Sequence, residues 1–265
     1  MHRVLLAFFL FFCSFLQVSA QSWEVGGFVG GSGYMGDINP TKPYKFTDAA
    51  FGGQVKRNFD GYWSLRLNAM HGKMRAADAD SPDPAQQFRN LDFYSPLTEV
   101  SLLGEFNFFR YQASVSRKYS PYLFAGIGGV MFSPKTMLNN QEQDLRYWRT
   151  EGQLVNESYQ PYALTVPYGV GIKYNIKGNW NLIGEVGYRT AFTDYLDDVS
   201  GIYAAPVGFD PNNGELATAL QLADRSGTSS DLFGTQRGDF RKRDTYMFAG
   251  ISLTFTFVSA KCYAF

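Results

Sequence analysis

The sequence predicts an all-β fold, an eight-stranded antiparallel up-and-down transmembrane β-barrel with long extracellular loops. Three observations carry that expectation. Eight segments alternate residue character with a period of two, the links between them alternate strictly between short and long, and large aromatics gather at one end of the strands. The composition agrees: among 265 residues there are 24 Phe, 17 Tyr, 4 Trp and 27 Gly, with 45% hydrophobic residues. Balanced charge, 24 Lys+Arg against 24 Asp+Glu, leaves no basic surface for nucleic acid. Two His and two Cys are too few for a Cys/His zinc site or a disulfide framework, and no cofactor is expected.

Residues 1–20 have the pattern of a signal peptide, with His2 and Arg3 before the apolar run Val4 to Leu16 and a small-residue end at Ser19 and Ala20. Cleavage there discards Cys13 and leaves residues 21–265 as the barrel, with Cys262 as its single thiol. No later stretch is long and apolar enough for a spanning helix. Strands are predicted at about 23–35, 50–59, 62–74, 97–108, 121–132, 165–176, 180–191 and 245–258.

The last strand alternates most cleanly, with Met247, Ala249, Ile251, Leu253, Phe255 and Phe257 on one parity and Gly250, Ser252, Thr254 and Thr256 on the other. The seventh sets Trp180, Leu182, Val186 and Tyr188 against Asn181, Glu185 and Arg189; the sixth sets Tyr168, Val170, Ile172 and Tyr174 against Gly169, Gly171 and Lys173. In the third, Trp63, Leu65 and Leu67 oppose Ser64, Arg66 and Asn68, and in the fourth Val100 and Leu102 oppose Glu99 and Ser101. The fifth is apolar on both parities, so its faces stay unassigned.

A water-soluble barrel would show the same alternation, so links and aromatics decide. Asp60-Gly61, Lys177-Gly178-Asn179 and residues 109–120 are the shorter links; 36–49, 75–96, 133–164 and 192–244 are long. That alternation fits periplasmic turns and extracellular loops of an outer-membrane barrel with both termini periplasmic. On that orientation Trp23, Trp63, Tyr122 and Trp180 start strands at the periplasmic rim, while Phe59, Phe106, Phe108, Tyr174, Phe255 and Phe257 end them there. Amphipathic rings at a headgroup boundary form such a belt, with outer-membrane lipids as partners.

The inward parity carries Glu24, Lys56, Arg66, Glu99, Glu105, Lys173, Glu185 and Arg189. Four acids and four bases in a bore only wide enough for side chains predict buried ion pairs rather than a pore. In the outer loops, Glu215 to Asp224 has helical composition, and Asn139 to Trp148 is a weaker helix candidate. Two acidic groups there, Asp78, Asp80 and Asp83, and Asp194, Asp197 and Asp198, lack the spacing of an EF-hand and are expected to be solvated. The mature chain's single His, His71, falls on the lipid-facing parity near a rim, so no enzyme is expected. Cys262 lies in a tail just past the last strand, where either intermolecular pairing in the oxidising periplasm or a semi-buried spare thiol accounts for it.

The string from Trp23 to Pro40, with Gly30, Gly31, Ser32, Tyr34, Gly36, Asp37, Asn39 and Pro40 as its signature, resembles the N-terminus of the PorG-like barrels of the type IX secretion system of Bacteroidetes. Further likeness lies in Trp63-Ser64-Leu65-Arg66-Leu67, in Pro121 through Gly128, and in the run from Pro167 through Tyr188 to Asp194. The resemblance implies a non-enzymatic part of the protein secretion apparatus. Such barrels link a periplasmic ring, built from a PorK-type lipoprotein with PorN, to the outer membrane. It also favours a disulfide from Cys262 to the PorK-like lipoprotein. The alternative is a generic surface barrel acting in adhesion, ligand binding or envelope tethering.

Overall fold

Period-two alternation gives a strand two chemically different faces, and closing a sheet gathers like faces on one side of the wall. The computed structural model describes residues 22–111, 118–227 and 232–257, and its sheet closes fully. The barrel strands are β1 (Ser22–Met35), β2 (Asp48–Asn58), β3 (Trp63–Ala77), β4 (Asp92–Asn107), β5 (Tyr119–Phe132), β8 (Tyr162–Lys177), β9 (Trp180–Ala191) and β10 (Thr245–Phe257). Their order is β3-β2-β1-β10-β9-β8-β5-β4, and β3 pairs with β4 to complete the ring. Every pairing is antiparallel, so the topology is up-and-down. Residues 1–20, expected to form a signal peptide, and Cys262 lie outside the described residues.

The outward row is apolar around the whole barrel. Val29 is 60% exposed, Ile127 69%, Val170 55% and Ile251 52%, values that a water-facing wall would not tolerate over so continuous a surface. This is the wall of an outer-membrane-type barrel, made for hydrocarbon. The two-sided apolar β5 also resolves: Tyr122, Phe124, Val130 and Phe132 point inward, while Leu123, Ile127 and Met131 point out. Inside, Gly30 and Gly250 face each other across the β1–β10 ladder beneath the Phe28 ring. A Cβ on Gly30 would lie 2.8 Å from that ring and 2.2 Å from the Ala249 carbonyl, so the close approach requires glycine.

At the end where Ser22 and Phe257 lie, the aromatics form a belt. Trp63 contacts Phe106 at 4.9 Å between ring centroids, Phe106 contacts Phe108 at 5.7 Å, Trp180 meets Phe255 at 5.1 Å, and Arg57 covers the Trp23 ring at 4.8 Å. Tyr122 is not part of it. β5 begins at Tyr119, which is exposed and takes the rim position, and the Tyr122 hydroxyl turns into the bore to donate to Glu185 at 2.7 Å.

At the opposite end the wall rises past its predicted limits. β3 and β4 stay paired out to Ala77 and Asp92, and β4 is extended by a hairpin of β6 (Lys135–Leu138) and β7 (Gln141–Asp144) through the Tyr94–Lys135 pair. The helix expected over Asn139 to Trp148 is mostly this hairpin. Asn139 and Asn140 both adopt positive φ, 51° and 62°, as a two-residue hairpin turn demands, and only Leu145–Trp148 is helical (α2). The short helix α1 (Pro84–Arg89) is capped by the Asp83 side chain on the Ala85 amide, and α3 (Glu215–Ala223) forms where Ala and Leu predicted it.

The long links do not run loose in solvent. They pack into a cap continuous with the upper bore, around Tyr34, Phe93, Leu196, Val199 and Leu222. Tyr159 stacks on Phe132 at 6.3 Å and on Tyr195 at 4.5 Å, and its hydroxyl donates to Asp198 at 2.6 Å.

Candidate functional site

Charge concentrates in two places, the bore and the cap. All eight inward charges named from the sequence are buried in the bore, none more than 5% exposed. Lys56 bridges Glu24 at 3.5 Å and Glu105 at 3.2 Å, and Lys173 reaches Glu105 at 2.5 Å. Arg66 spans the bore from Glu105 at 3.1 Å to Glu185 at 2.6 Å, and its guanidinium lies 5.1 Å from the centre of the Phe124 ring. A second group lies nearer the cap: Arg189 pairs with Glu99 at 3.3 Å, and Glu99 accepts from the Tyr246 and Ser101 hydroxyls at 2.5 and 2.9 Å. Phe28, Phe248, Met70 and Leu97 fill the space above. The bore is a packed interior in which each carboxylate has a cationic partner, as the cost of burying an unpaired charge requires.

The signature string builds the base of the cap. Ser32 donates to the Lys73 carbonyl at 2.5 Å, and Asn39 closes the turn after β1 by donating to the Tyr34 and Lys42 carbonyls at 2.6 and 3.0 Å. The buried Tyr34 hydroxyl donates to Asp197 at 2.5 Å and lies 3.2 Å from Asp244. A Cβ on Gly36 would stand 2.0 Å from that hydroxyl and 2.1 Å from an Asp244 oxygen, which is why glycine occupies the position.

Of the two acidic groups read from the sequence, the first is consumed by structure. Asp78 pairs with Arg89 at 2.7 Å, Asp80 with Lys45 at 2.6 Å, and Asp83 caps α1. The second group divides. Asp198 turns away to Thr150 and Tyr159, whereas Asp194 and Asp197 join Asp37 and Asp244. Asp37, Asp194 and Asp244 each bring a carboxylate oxygen within 4.8 Å of the other two. Burial pushes the Asp37 carboxyl up to about 7 and that of Asp194 up to about 6. Burial, with Asp37 next to Asp197 and Asp197 next to Asp244, holds those two well above the ordinary carboxylate range.

Sequence reasoning missed Asp244 and gave Asp37 no role beyond the signature. Up-and-down closure contains the signal that finds them. Met35 pairs with Thr245, and Thr245 pairs with Thr190, so the residues just past β1, just before β10 and just after β9 must share one rim. A cleft of about 400 Å³ opens beside this group, lined by Asp37, Phe88, Arg89, Tyr203, Arg237 and Asp239 among others. His71 stands outside on the wall, 2.9 Å from the Thr98 hydroxyl and against Phe51.

Comparison of folds finds small outer-membrane barrels. The outer membrane protein OprG of Pseudomonas aeruginosa is similar at 9% identity over 91% of this chain and 98% of that one, with a TM-score of 0.43. Ail, the attachment invasion locus protein of Yersinia pestis, is similar at 11% identity over 89% and 97%, with a TM-score of 0.39. The N-terminal barrel domain of Pseudomonas aeruginosa OprF is similar at 12% identity over 91% and 100%, with a TM-score of 0.38. No curated protein matches the sequence significantly. Residues 2–203, which include the signature and β1 through β9, match a sequence family, and the chain therefore belongs to the family described as Domain of unknown function (DUF6089).

Proposed function

We propose that this outer-membrane barrel is a non-conducting, non-enzymatic anchor, and that it serves the type IX secretion apparatus to which its sequence signature bears a resemblance. One observation supports an anchor over a conduit: the bore is closed by the buried network centred on Arg66 and Glu105. In this reading both termini face the periplasm, and the belted end of the barrel meets a ring of PorK-type lipoprotein and PorN. Cys262, which follows β10 in sequence, forms the disulfide to the lipoprotein.

Purification of the tagged protein in mild detergent tests this reading. The ring lipoprotein should co-purify, and non-reducing electrophoresis should show a slower band that collapses on reduction and is absent in Cys262→Ser. Loss of the protein should also stop export of cargo bearing the C-terminal secretion signal. Absence of ring components from the purified material, together with undisturbed export, would remove the secretion role.

The cap cleft favours a second reading, a surface barrel that binds a ligand through its outer loops, because aromatic Phe88 and Tyr203 flank Arg89 and Arg237 there. Substituting Phe88 and Tyr203 separates the two. An anchor keeps its export function, and a loop-binding receptor loses its own.

A further inference from the structure

We propose that Asp37, Asp194 and Asp244, backed by Asp197, form a calcium site that clasps the cap across the three neighbouring strands β1, β10 and β9. The four acids come from both sides of the barrel closure. Asp37 follows β1, Asp194 and Asp197 follow β9, and Asp244 precedes β10.

The hydrogen bonds of these carboxylates leave specific oxygens unused. Asp197 accepts from Tyr34 and from the Val199 amide, and Asp244 accepts from the Leu196 amide and lies 3.2 Å from the Tyr34 hydroxyl. Asp194 accepts from Ser200 through Oδ2 alone, and Asp37 accepts from the Asp239 amide through Oδ1 alone. Asp37 Oδ2 and Asp194 Oδ1 are buried without a hydrogen-bond partner, and Asp37 as a whole is 2% exposed. Those two residues, with Asp244, are the ones whose oxygens converge within 4.8 Å.

Neighbouring cations offset the group only in part, Arg89 favouring the charged forms of Asp37 and Asp197 without bonding either carboxylate. Arg89 is held bidentate by Asp78 and meets Asp37 only through its backbone carbonyl at 2.9 Å, while Arg237 pairs with Glu151 at 2.9 Å. The donors are all hard oxygens, which selects calcium or magnesium over zinc or copper. Two oxygens on one calcium ion stand up to about 4.6–5.2 Å apart, against about 4.0–4.2 Å on magnesium, and calcium also accepts irregular geometry. The converging oxygens lie within 4.8 Å of one another, a separation that a calcium shell can span. The adjoining cleft, which Asp37 lines, gives the ion a route from solvent.

The test uses the mature protein folded in detergent, stripped with EDTA and held near neutral pH. Terbium is the probe, because Tyr34 lies against Asp197 and Asp244 and transfers excitation to a lanthanide bound there. One saturable terbium signal is expected, displaced by calcium and far less by equal magnesium. Calorimetry with calcium alone should show one site. Asp194→Asn, at the most accessible of the four acids, should weaken calcium about tenfold or more. Glu157→Gln, at an exposed acid elsewhere in the cap, should leave binding unchanged, and heat-shifted gel migration confirms that each variant is folded.

Failure of the wild-type protein to bind calcium at several millimolar, above the range of weak extracellular calcium modules, overturns the site. So does terbium emission that Asp194→Asn leaves untouched in a folded barrel, or displacement by magnesium as readily as by calcium. None of these outcomes bears on the periplasmic partner.

Discussion

Replacing Arg66 by Met removes a side chain that spans the bore while nearly keeping its volume. The guanidinium holds Glu185 at 2.6 Å, Glu105 at 3.1 Å and the side-chain amide oxygen of Gln54 at 3.0 Å, all among buried groups. Its loss affects the two carboxylates unequally. Glu105 keeps Lys173 at 2.5 Å and Lys56 at 3.2 Å, whereas Glu185 keeps the Tyr122 hydroxyl at 2.7 Å and, among the described residues, no cation within salt-bridge distance. Stranding a buried carboxylate costs about 3–5 kcal/mol, so Arg66→Met should lower barrel stability by that amount. Adding Glu185→Gln removes the stranded charge and should restore about 2 kcal/mol or more of it. Adding Glu105→Gln should instead make matters worse, because Lys56 and Lys173 lose the acid they share. Urea titration in lipid vesicles, with folded and unfolded fractions separated by heat-shifted migration, measures all three. A single-variant loss below about 1 kcal/mol, or equal rescue by either Gln, would refute the assignment of Glu185 as the dependent partner.

The same filled bore implies that the reconstituted protein passes no steady current in planar bilayers, and a stable porin-like conductance would contradict it. Gly36→Ala should loosen the cap by about 1–3 kcal/mol, since the new methyl meets both the Tyr34 hydroxyl and an Asp244 oxygen. Faster cleavage of the outer loops by protease, with an unchanged urea midpoint for the barrel wall, is the expected pattern. In EDTA the cap should weaken as pH rises from about 4 to about 7. Asp37 keeps its proton up to about 7 when folded but releases it near 3.8 when unfolded, so the stability it contributes is present in acid and lost across that window. Protease resistance that stays flat or increases with pH in EDTA would contradict this.

The wall was legible because a membrane imposes a period on it. Leu65, Val170 and Ile251 must face lipid, so their neighbours Arg66, Gly171 and Ser252 must face the bore. β5 was not legible, since Tyr122 and Leu123 are both apolar enough for lipid. The choice fell to Glu185, which takes the Tyr122 hydroxyl. In the cap, local signals found α3 but misread the Asn139–Asn140 turn, where two consecutive positive φ values outweighed helical composition on either side. The acidic cluster was hidden for a different reason. Asp37 and Asp244 are separated by most of the chain and meet only because the first strand pairs with the last.

That pairing has a bearing on how the molecule is made. β1 is held by β2, its immediate successor, and by β10, the final described strand, in a ladder from Trp23–Phe257 to Met35–Thr245. Contacts between the ends of a chain carry the largest loop-closure penalty and form late. Half of β1's hydrogen-bonding edge therefore stays open until the last hairpin arrives, a template for wrong pairing throughout synthesis and export. The glycines that crowd β1, with Gly250 of β10, let those two strands approach closely once they meet, and Glu24, bonded by Lys56 on one side and Thr254 on the other, completes its shell only then. A chain truncated before β10 would thus be missing more than one strand: it would leave Glu24 half-satisfied and Tyr34 without Asp244, and such a product should be cleared by periplasmic proteases rather than accumulate as an open sheet.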